Sequence, residues 1–326
     1  MNKNKKKVYV TRKIPEVGID MLRSAGLDVT VNLREVILTK AELISELKME
    51  PYDAVLAMLT DSIDEDVLQA LPNAKIVANY AVGFNNIDLA AAKRANIAVT
   101  NTPGILSDSV AEHAMALLLA LSCRIVEGDR FVRDGRYKGW EPMLLLGIDL
   151  KDKTLGIVGA GRIGDRLARH AYLGFDMKVI YHDIKRCDLI EKEYKASYYE
   201  NLNDLLSEAD VVSIHVPLLD STRHLINKDN LALMKPSAFI VNTSRGPVIN
   251  EEDLVAALKS RKIRGAGLDV FEDEPKLSPG LNDLDNVVLT PHIASATEET
   301  RNQMATFAAR NIIDCLEGRT PPNLAE

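Results

Sequence analysis

This sequence is poor in the features that hold small or extracellular folds together. It has three cysteines, Cys123, Cys187 and Cys315, an odd number without metal-ligand spacing. They read as reduced thiols of a cytoplasmic protein, and no metal centre is expected. No apolar run approaches membrane length. The longest, Ala114 to Leu121, is far short of the ~20 residues a spanning helix needs, and no secretory apolar region follows the start. Basic residues are not in surplus: 40 Lys and Arg against 47 Asp and Glu leave a net charge of -7. That balance argues against nucleic acid as the main partner. The one basic run, Lys3 with Lys5, Lys6 and Lys7, reads as a solvated tail before a strand at Val8. Low-complexity repeats are also missing.

What remains is the profile of a soluble globular chain. Its 326 residues are 46% hydrophobic and 27% charged, enough for about two domains with sizeable cores. Short apolar strands alternate with helical stretches. Strands are expected at Val8–Val10, Asp28–Val31, Ala54–Ala57, Lys75–Ala78 and Ile97–Val99, and helices at Val17–Ser24, Lys40–Lys48 and Asp64–Leu71. This alternation means a parallel sheet with crossover helices. Asn101-Thr102-Pro103-Gly104 breaks the pattern. An apolar helix (Val110–Cys123) and a polar loop (Arg133–Pro142) holding the only tryptophan, Trp140, come next. A second series begins at Thr154 and continues at Lys178–Tyr181, Val211–Ile214, Ala238–Val241, Ala266–Asp269 and Val287–Leu289, with a closing helix over Thr297–Leu316.

In the second series, Gly159-Ala160-Gly161-Arg162-Ile163-Gly164 follows the strand at Thr154–Val158 and opens a helix over Arg162–Ala171. Asp183 ends the next strand 19 positions after Gly164, near the ~20-residue offset at which a carboxylate reaches the adenosine ribose. Gly159 allows the tight turn, Gly161 admits the pyrophosphate, and Gly164 lets helix pack on strand. The helix N-terminus adds free N–H groups and a positive dipole end. Gly-x-Gly-x-x-Gly alone is a weak signal; in this context it predicts a nicotinamide dinucleotide. Asp183 would accept from both ribose hydroxyls and repel a 2′-phosphate, which favours NADH over NADPH. Lys185 and Arg186 follow it and read either as a solvated loop or as phosphate partners.

Three polar residues follow later strands: Arg245 in Val241-Asn242-Thr243-Ser244-Arg245-Gly246, Glu274 before Pro275, and His292 after Pro291. In doubly wound sheets ligands lie at the carboxyl ends of strands. Reduction of a 2-keto acid needs a fork-shaped cation for the carboxylate, which suits Arg245. It needs a proton donor near neutral pH, which suits His292. It also needs a carboxylate to orient that ring and favour its charged form, which suits Glu274.

Thr154–Gly164, Val241–Gly246, Ala266–Pro275 and Leu289–Thr297 together resemble the D-isomer-specific 2-hydroxyacid dehydrogenase family over nearly the whole chain. The resemblance implies Arg245, Glu274 and His292 as the catalytic set, with Glu274 rather than Glu272 as the acid. It implies that Asp269 and the Thr243 carbonyl hold the nicotinamide carboxamide. Two Rossmann-like or flavodoxin-like α/β lobes with an active-site cleft are expected: a substrate lobe of residues 1–103 completed by 292–326, and a cofactor lobe of residues 104–291. Substrate carboxylate binding is assigned to the turn containing Val82 and Gly83. Val110 falls at a cofactor position where many members carry Thr, so the hydroxyl contact is missing there. Within the family, Met58-Leu59-Thr60-Asp61 and Trp140-Glu141-Pro142 resemble glyoxylate/hydroxypyruvate reductases. Leu59 is then a substrate contact, and Trp140 reaches the active site of a second subunit in a homodimer. Asp183 departs from the NADPH-dependent members of that subgroup.

Three other readings compete with this one. 3-Phosphoglycerate dehydrogenase would want basic residues in the Leu59 loop, which carries an acid instead. D-lactate dehydrogenase would want an aromatic residue after His292, where Ala294-Ser295-Ala296 stands. A dinucleotide-sensing corepressor shares the fold, and fold alone does not separate it from an enzyme.

Overall fold

The computed structural model describes residues 5–325; Lys3 of the basic run lies outside the described residues. The chain separates into two compact units, one within Met1–Leu106 and Ala296–Glu326, the other Ser107–Ser295.

The first unit runs β1 (Lys7–Val10), α1 (Glu16–Ser24), β2 (Asp28–Val31), α2 (Lys40–Leu47), β3 (Ala54–Ala57), α3 (Glu65–Gln69), β4 (Ile76–Asn79), α4 (Leu89–Arg94) and β5 (Ala98–Thr100). The second runs α5 (Ser107–Ser122), α6 (Ile125–Arg133), β6 (Thr154–Val158), α7 (Arg162–Phe175), β7 (Lys178–His182), α8 (Asp188–Tyr194), β8 (Ser197–Tyr198), α9 (Leu202–Glu208), β9 (Val211–Ile214), α10 (Lys228–Leu231), β10 (Phe239–Asn242), α11 (Glu251–Lys259), β11 (Gly265–Leu268) and β12 (Val287–Leu289). The chain then returns to the first unit as α12 (Glu298–Leu316).

Both sheets are wholly parallel. The first has the order β2-β1-β3-β4-β5, the second β12-β11-β10-β9-β6-β7-β8. Each reverses direction once, between β1 and β3 and between β6 and β9, and such switch points open a crevice for ligands at the carboxyl ends. The central strands β3, β4, β6, β9 and β10 are buried along their whole length, as strands covered by helices on both faces must be. In the first unit, α1 crosses α12 so closely that a Cβ on Gly18 would meet Ala305 at 2.8 Å. Thr297 caps α12 by accepting the Thr300 N–H.

Several expectations are corrected. The polar loop begins only after Arg133, because Ile125–Arg133 is helical: α6 starts after Arg124 in a left-handed conformation at φ 53°, and the apolar side chains of Ile125 and Val132 on it stay exposed. The basic run is not a free tail throughout. Lys7 opens β1 and pairs with Glu50, and the Lys6 ammonium donates to the Leu316 carbonyl. Division of the chain falls at 106/107 and 295/296 rather than after 103 and 291. Residues 292–294 stay with the second unit because their three N–H groups all donate to Asp269.

Candidate active site

The turn between β6 and α7 has the form a pyrophosphate requires. Gly159 is at φ +97°, and a Cβ there would strike the His215 and Val216 backbone at 2.9 Å. A Cβ on Gly164 would meet the Gly159 carbonyl at 2.4 Å, so this glycine sets the approach of α7 to the strand. Gly161, the residue before α7, faces open space: nothing lies within 4 Å of a Cβ built there. A glycine that packing does not demand, ahead of 14 residues of helix, leaves room for an anion at the N–H groups of Arg162 and Ile163. Asp183 lies one residue beyond β7 and accepts the Ala160 N–H at 2.7 Å, which ties this carboxylate to the turn. Arg186 is gripped by Glu191 rather than free in the loop. The Thr243 hydroxyl is buried without a hydrogen-bond partner after β10. These residues fit a dinucleotide along the carboxyl edge of β6, β7 and β10. Val110 is 4% exposed within α5 and offers only methyl groups.

His292, Glu274 and Arg245 come together in the same unit. His292 Nδ1 lies 2.9 Å from Glu274 Oε2, while Glu274 Oε1 accepts the Phe271 N–H at 3.0 Å. Burial pushes the Glu274 carboxyl up. The hydrogen bond and charge of His292, the Phe271 N–H and the charge of Arg245 outweigh this and hold it below the usual carboxylate range. Burial lowers the Arg245 guanidinium, and Glu274 opposes it; an arginine stays protonated regardless. Arg245 Nη1 donates to the Ser244 carbonyl, and the turn is tied by Asn242, which donates to the Arg245 carbonyl and accepts from Ser244. A Cβ on Gly246 would sit 1.9 Å from the Phe271 carbonyl, so the Arg245 turn and the Glu274 segment are in direct backbone contact. Glu272 points elsewhere, to His224 at 2.5 Å and to the first N–H of α11.

Asp269 has a second place in this arrangement. It is fully buried, and its carboxylate accepts Thr290 Oγ1 at 2.6 Å, Ile293 N at 2.9 Å and Ala294 N at 2.8 Å. Burial pushes this group up, but His113, Thr290 and the two N–H groups bring it below the usual range. It therefore braces the His292 segment, which itself turns through φ 54°. Neither His113 nor Thr290 stood out in the sequence; their partner is more than twenty residues away from Thr290 and further from His113.

In the first unit, the segments carrying Leu59 and the Val82-Gly83 turn are knitted by asparagines. Asn86 donates to the Met58 and Asp61 carbonyls, Asn79 to Gly83 and to Asn86, and Asn101 to Val82. Asp61 is 4% exposed and turned inward, where Thr11 and the Met58 N–H donate to it. It does not present its charge on the loop. A cation does stand there: Arg12, just past β1, places Nη2 3.4 Å from Thr60 Oγ1. The loop itself holds no basic residue, and the guanidinium beside it comes from the end of another strand. Trp140 lies in the second unit and is 82% exposed. Among the described residues, no group of three or more His, Cys, Asp or Glu is placed to hold a metal, and no single helix is long and apolar enough to cross a membrane.

Comparison with known proteins agrees with this geometry. Residues 115–294 match the family model described as D-isomer specific 2-hydroxyacid dehydrogenase, NAD binding domain. A glyoxylate reductase of Thermococcus litoralis is 47% identical across 98% of this chain and 96% of its own. The chain belongs to the D-isomer-specific 2-hydroxyacid dehydrogenase family. It is accordingly an oxidoreductase that acts on a CH–OH group with a nicotinamide dinucleotide, and its second unit contains the family's NAD-binding domain. Among solved structures, a protein of Thermus thermophilus superposes with a TM-score of 0.91 at 43% identity, covering 98% of this chain and all of that one. An NADPH-dependent glyoxylate/hydroxypyruvate reductase from Sinorhizobium meliloti, in complex with NADP and malonate, gives 0.85 at 28% identity, covering 99% and 97%.

Proposed function

We propose that this family member reduces glyoxylate and hydroxypyruvate to glycolate and D-glycerate, prefers NADH, and works as a homodimer in the cytoplasm. One observation carries the reading: Glu274 engages His292 Nδ1 at 2.9 Å while the Arg245 charge bears on the same carboxylate. With Nδ1 committed to Glu274, His292 offers Nε2 as the proton donor to the carbonyl oxygen of the keto acid. Arg245 holds the substrate carboxylate in its fork and polarises the carbonyl. The glycine turn would hold the pyrophosphate of the dinucleotide, which when bound in reduced form would supply the hydride. Asp183 receives the ribose hydroxyls, and Thr243 and Asp269 orient the carboxamide. From the first unit, the Val82 and Gly83 N–H groups and Leu59 are the proposed substrate contacts. The homodimer reading is supported by Ile125, Val132, Tyr137, Trp140, Met143 and Leu146, large apolar side chains all left exposed along one stretch of the second unit. Free thiols at all three cysteines are compatible with a reducing compartment.

Steady-state rates with a panel of 2-keto acids and both reduced cofactors test this. Turnover of glyoxylate and hydroxypyruvate with NADH is expected, and His292→Ala should lower kcat by ~10²–10⁴, the usual scale for a lost acid. A variant with wild-type kcat would remove His292 from the mechanism, and an inert wild-type enzyme would leave a dinucleotide-sensing role. Arg12 beside Thr60 favours one second reading, a keto acid with a distal anion, so phosphohydroxypyruvate belongs in the panel.

A further inference from the structure

The loop after Asp183 contains a feature that the catalytic arrangement does not use. Arg186 forks onto Glu191 of α8 with Nε and Nη2 at 3.0 and 2.9 Å. Its guanidinium carbon also sits 5.5 Å from the ring centre of Tyr198. That tyrosine's hydroxyl donates to the Asp183 carbonyl at 3.2 Å, so Arg186 rests one ring's length from the residue proposed to read the ribose. Glu191 does not drift with its partner. It is fixed from below by the buried Tyr181, whose hydroxyl donates to Glu191 Oε1 at 2.5 Å and accepts the Cys187 N–H at 2.8 Å. Each member of the pair reinforces the other's charge, Arg186 holding the Glu191 carboxyl down and Glu191 holding the guanidinium up.

We propose that Glu191 is a specificity-determining residue for the cofactor: by occupying the Arg186 fork it withholds a guanidinium that would otherwise reach a 2′-phosphate. The proposal rests on the reading that the adenosine ribose lies at the carboxyl end of β7, beside this loop, and not on what the Asp183 carboxylate does there. Selection against NADPH would then have two parts, repulsion by Asp183 and capture of Arg186, and removing the first alone would leave the cation locked. Lys185 is exposed in the same loop and is left unchanged in every variant below.

The test measures Kd for NADH and NADPH by nicotinamide fluorescence in wild type, D183S, E191Q, D183S/E191Q and D183S/E191Q/R186A. Gln keeps an acceptor for Tyr181 and loses only the charge that grips Arg186. Against D183S, the double variant should favour NADPH over NADH by about ten-fold more, the scale of one charge-assisted contact discounted for exposure. Adding R186A should return the ratio to that of D183S, and near 1 M salt, where the Debye length is about 3 Å, the gain should shrink. If D183S shifts the ratio and E191Q adds nothing, Glu191 has no such role. If D183S leaves the ratio unchanged while E191Q moves it in either background, the Asp183 reading falls and the Glu191 role stands. No movement in any variant overturns both.

Discussion

Asp269→Asn separates bracing of the His292 segment from contact with the cofactor. The side chain is fully buried and its two oxygens take three hydrogen bonds, from Thr290, Ile293 and Ala294, while His113 Nε2 stands 3.4 Å away. Asparagine keeps the size and one acceptor. If its amide oxygen stays with Thr290 and Ile293, its NH₂ group faces the Ala294 N–H, donor against donor. A buried N–H left without an acceptor costs about 1–3 kcal/mol. The two bonds that survive lose their charge assistance, which about halves their strength. The sum is a loss of about 2–4 kcal/mol, or roughly 5–15 °C in Tm for a unit the size of Ser107–Ser295. The cost also reaches the chemistry. His292 sits in the left-handed region, where a side chain costs about 1–2 kcal/mol that the Asp269 bonds must offset. When they weaken, the imidazole leaves its alignment with Glu274 and kcat falls. The assay is calorimetry of the cofactor-free protein, followed by kcat and the Kd for NADH. A variant that melts like wild type and is impaired only in NADH binding would refute bracing by Asp269 and leave the residue as a cofactor contact alone.

Two further outcomes follow from the same geometry. Gly161→Ala meets nothing within 4 Å, so it should leave Tm unchanged while weakening NADH by about ten-fold or more through the lost anion approach; a fall in Tm with NADH affinity intact would contradict the cradle. His215 is pushed by burial from 6.5 down to about 4, so it folds neutral. Its contribution to stability is complete above the unfolded value and is lost as pH falls from there toward the folded one, at roughly 1.4 kcal/mol per pH unit. Urea unfolding across that window should show a shallower pH dependence in His215→Gln, and identical slopes would show that His215 does not titrate with folding.

How much of this was legible beforehand depended on whether the cause was local. β3 reads as Ala54–Ala57 in sequence and structure alike, because a strand covered on both faces is simply an apolar run between turn residues. The glycine turn is equally plain, since Gly159 and Gly164 answer steric demands set within a few residues of themselves. Helix α6 was missed for the opposite reason. Its apolar residues Ile125 and Val132 share one face but stay exposed rather than packing into a core, and the charged pairs Arg124 with Glu127 and Arg133 with Asp129 make the stretch read as a polar connection. The polar residues that hold the site in shape were hidden in a third way. Asn86, Arg12, His113 and Glu191 look like any surface residue in the sequence, and their partners lie on neighbouring strand ends or the next helix. Asp61 shows how this misleads. Read along the chain it is an acid on a substrate loop, and it argued against an anionic substrate group. Folded, it is turned inward to Thr11 and the Met58 N–H, and the charge that accompanies the loop is the guanidinium of Arg12. Charge at a candidate site therefore has to be counted by strand order, not by sequence neighbourhood: β1 lies beside β3, so whatever follows Val10 shares an edge with whatever follows Ala57.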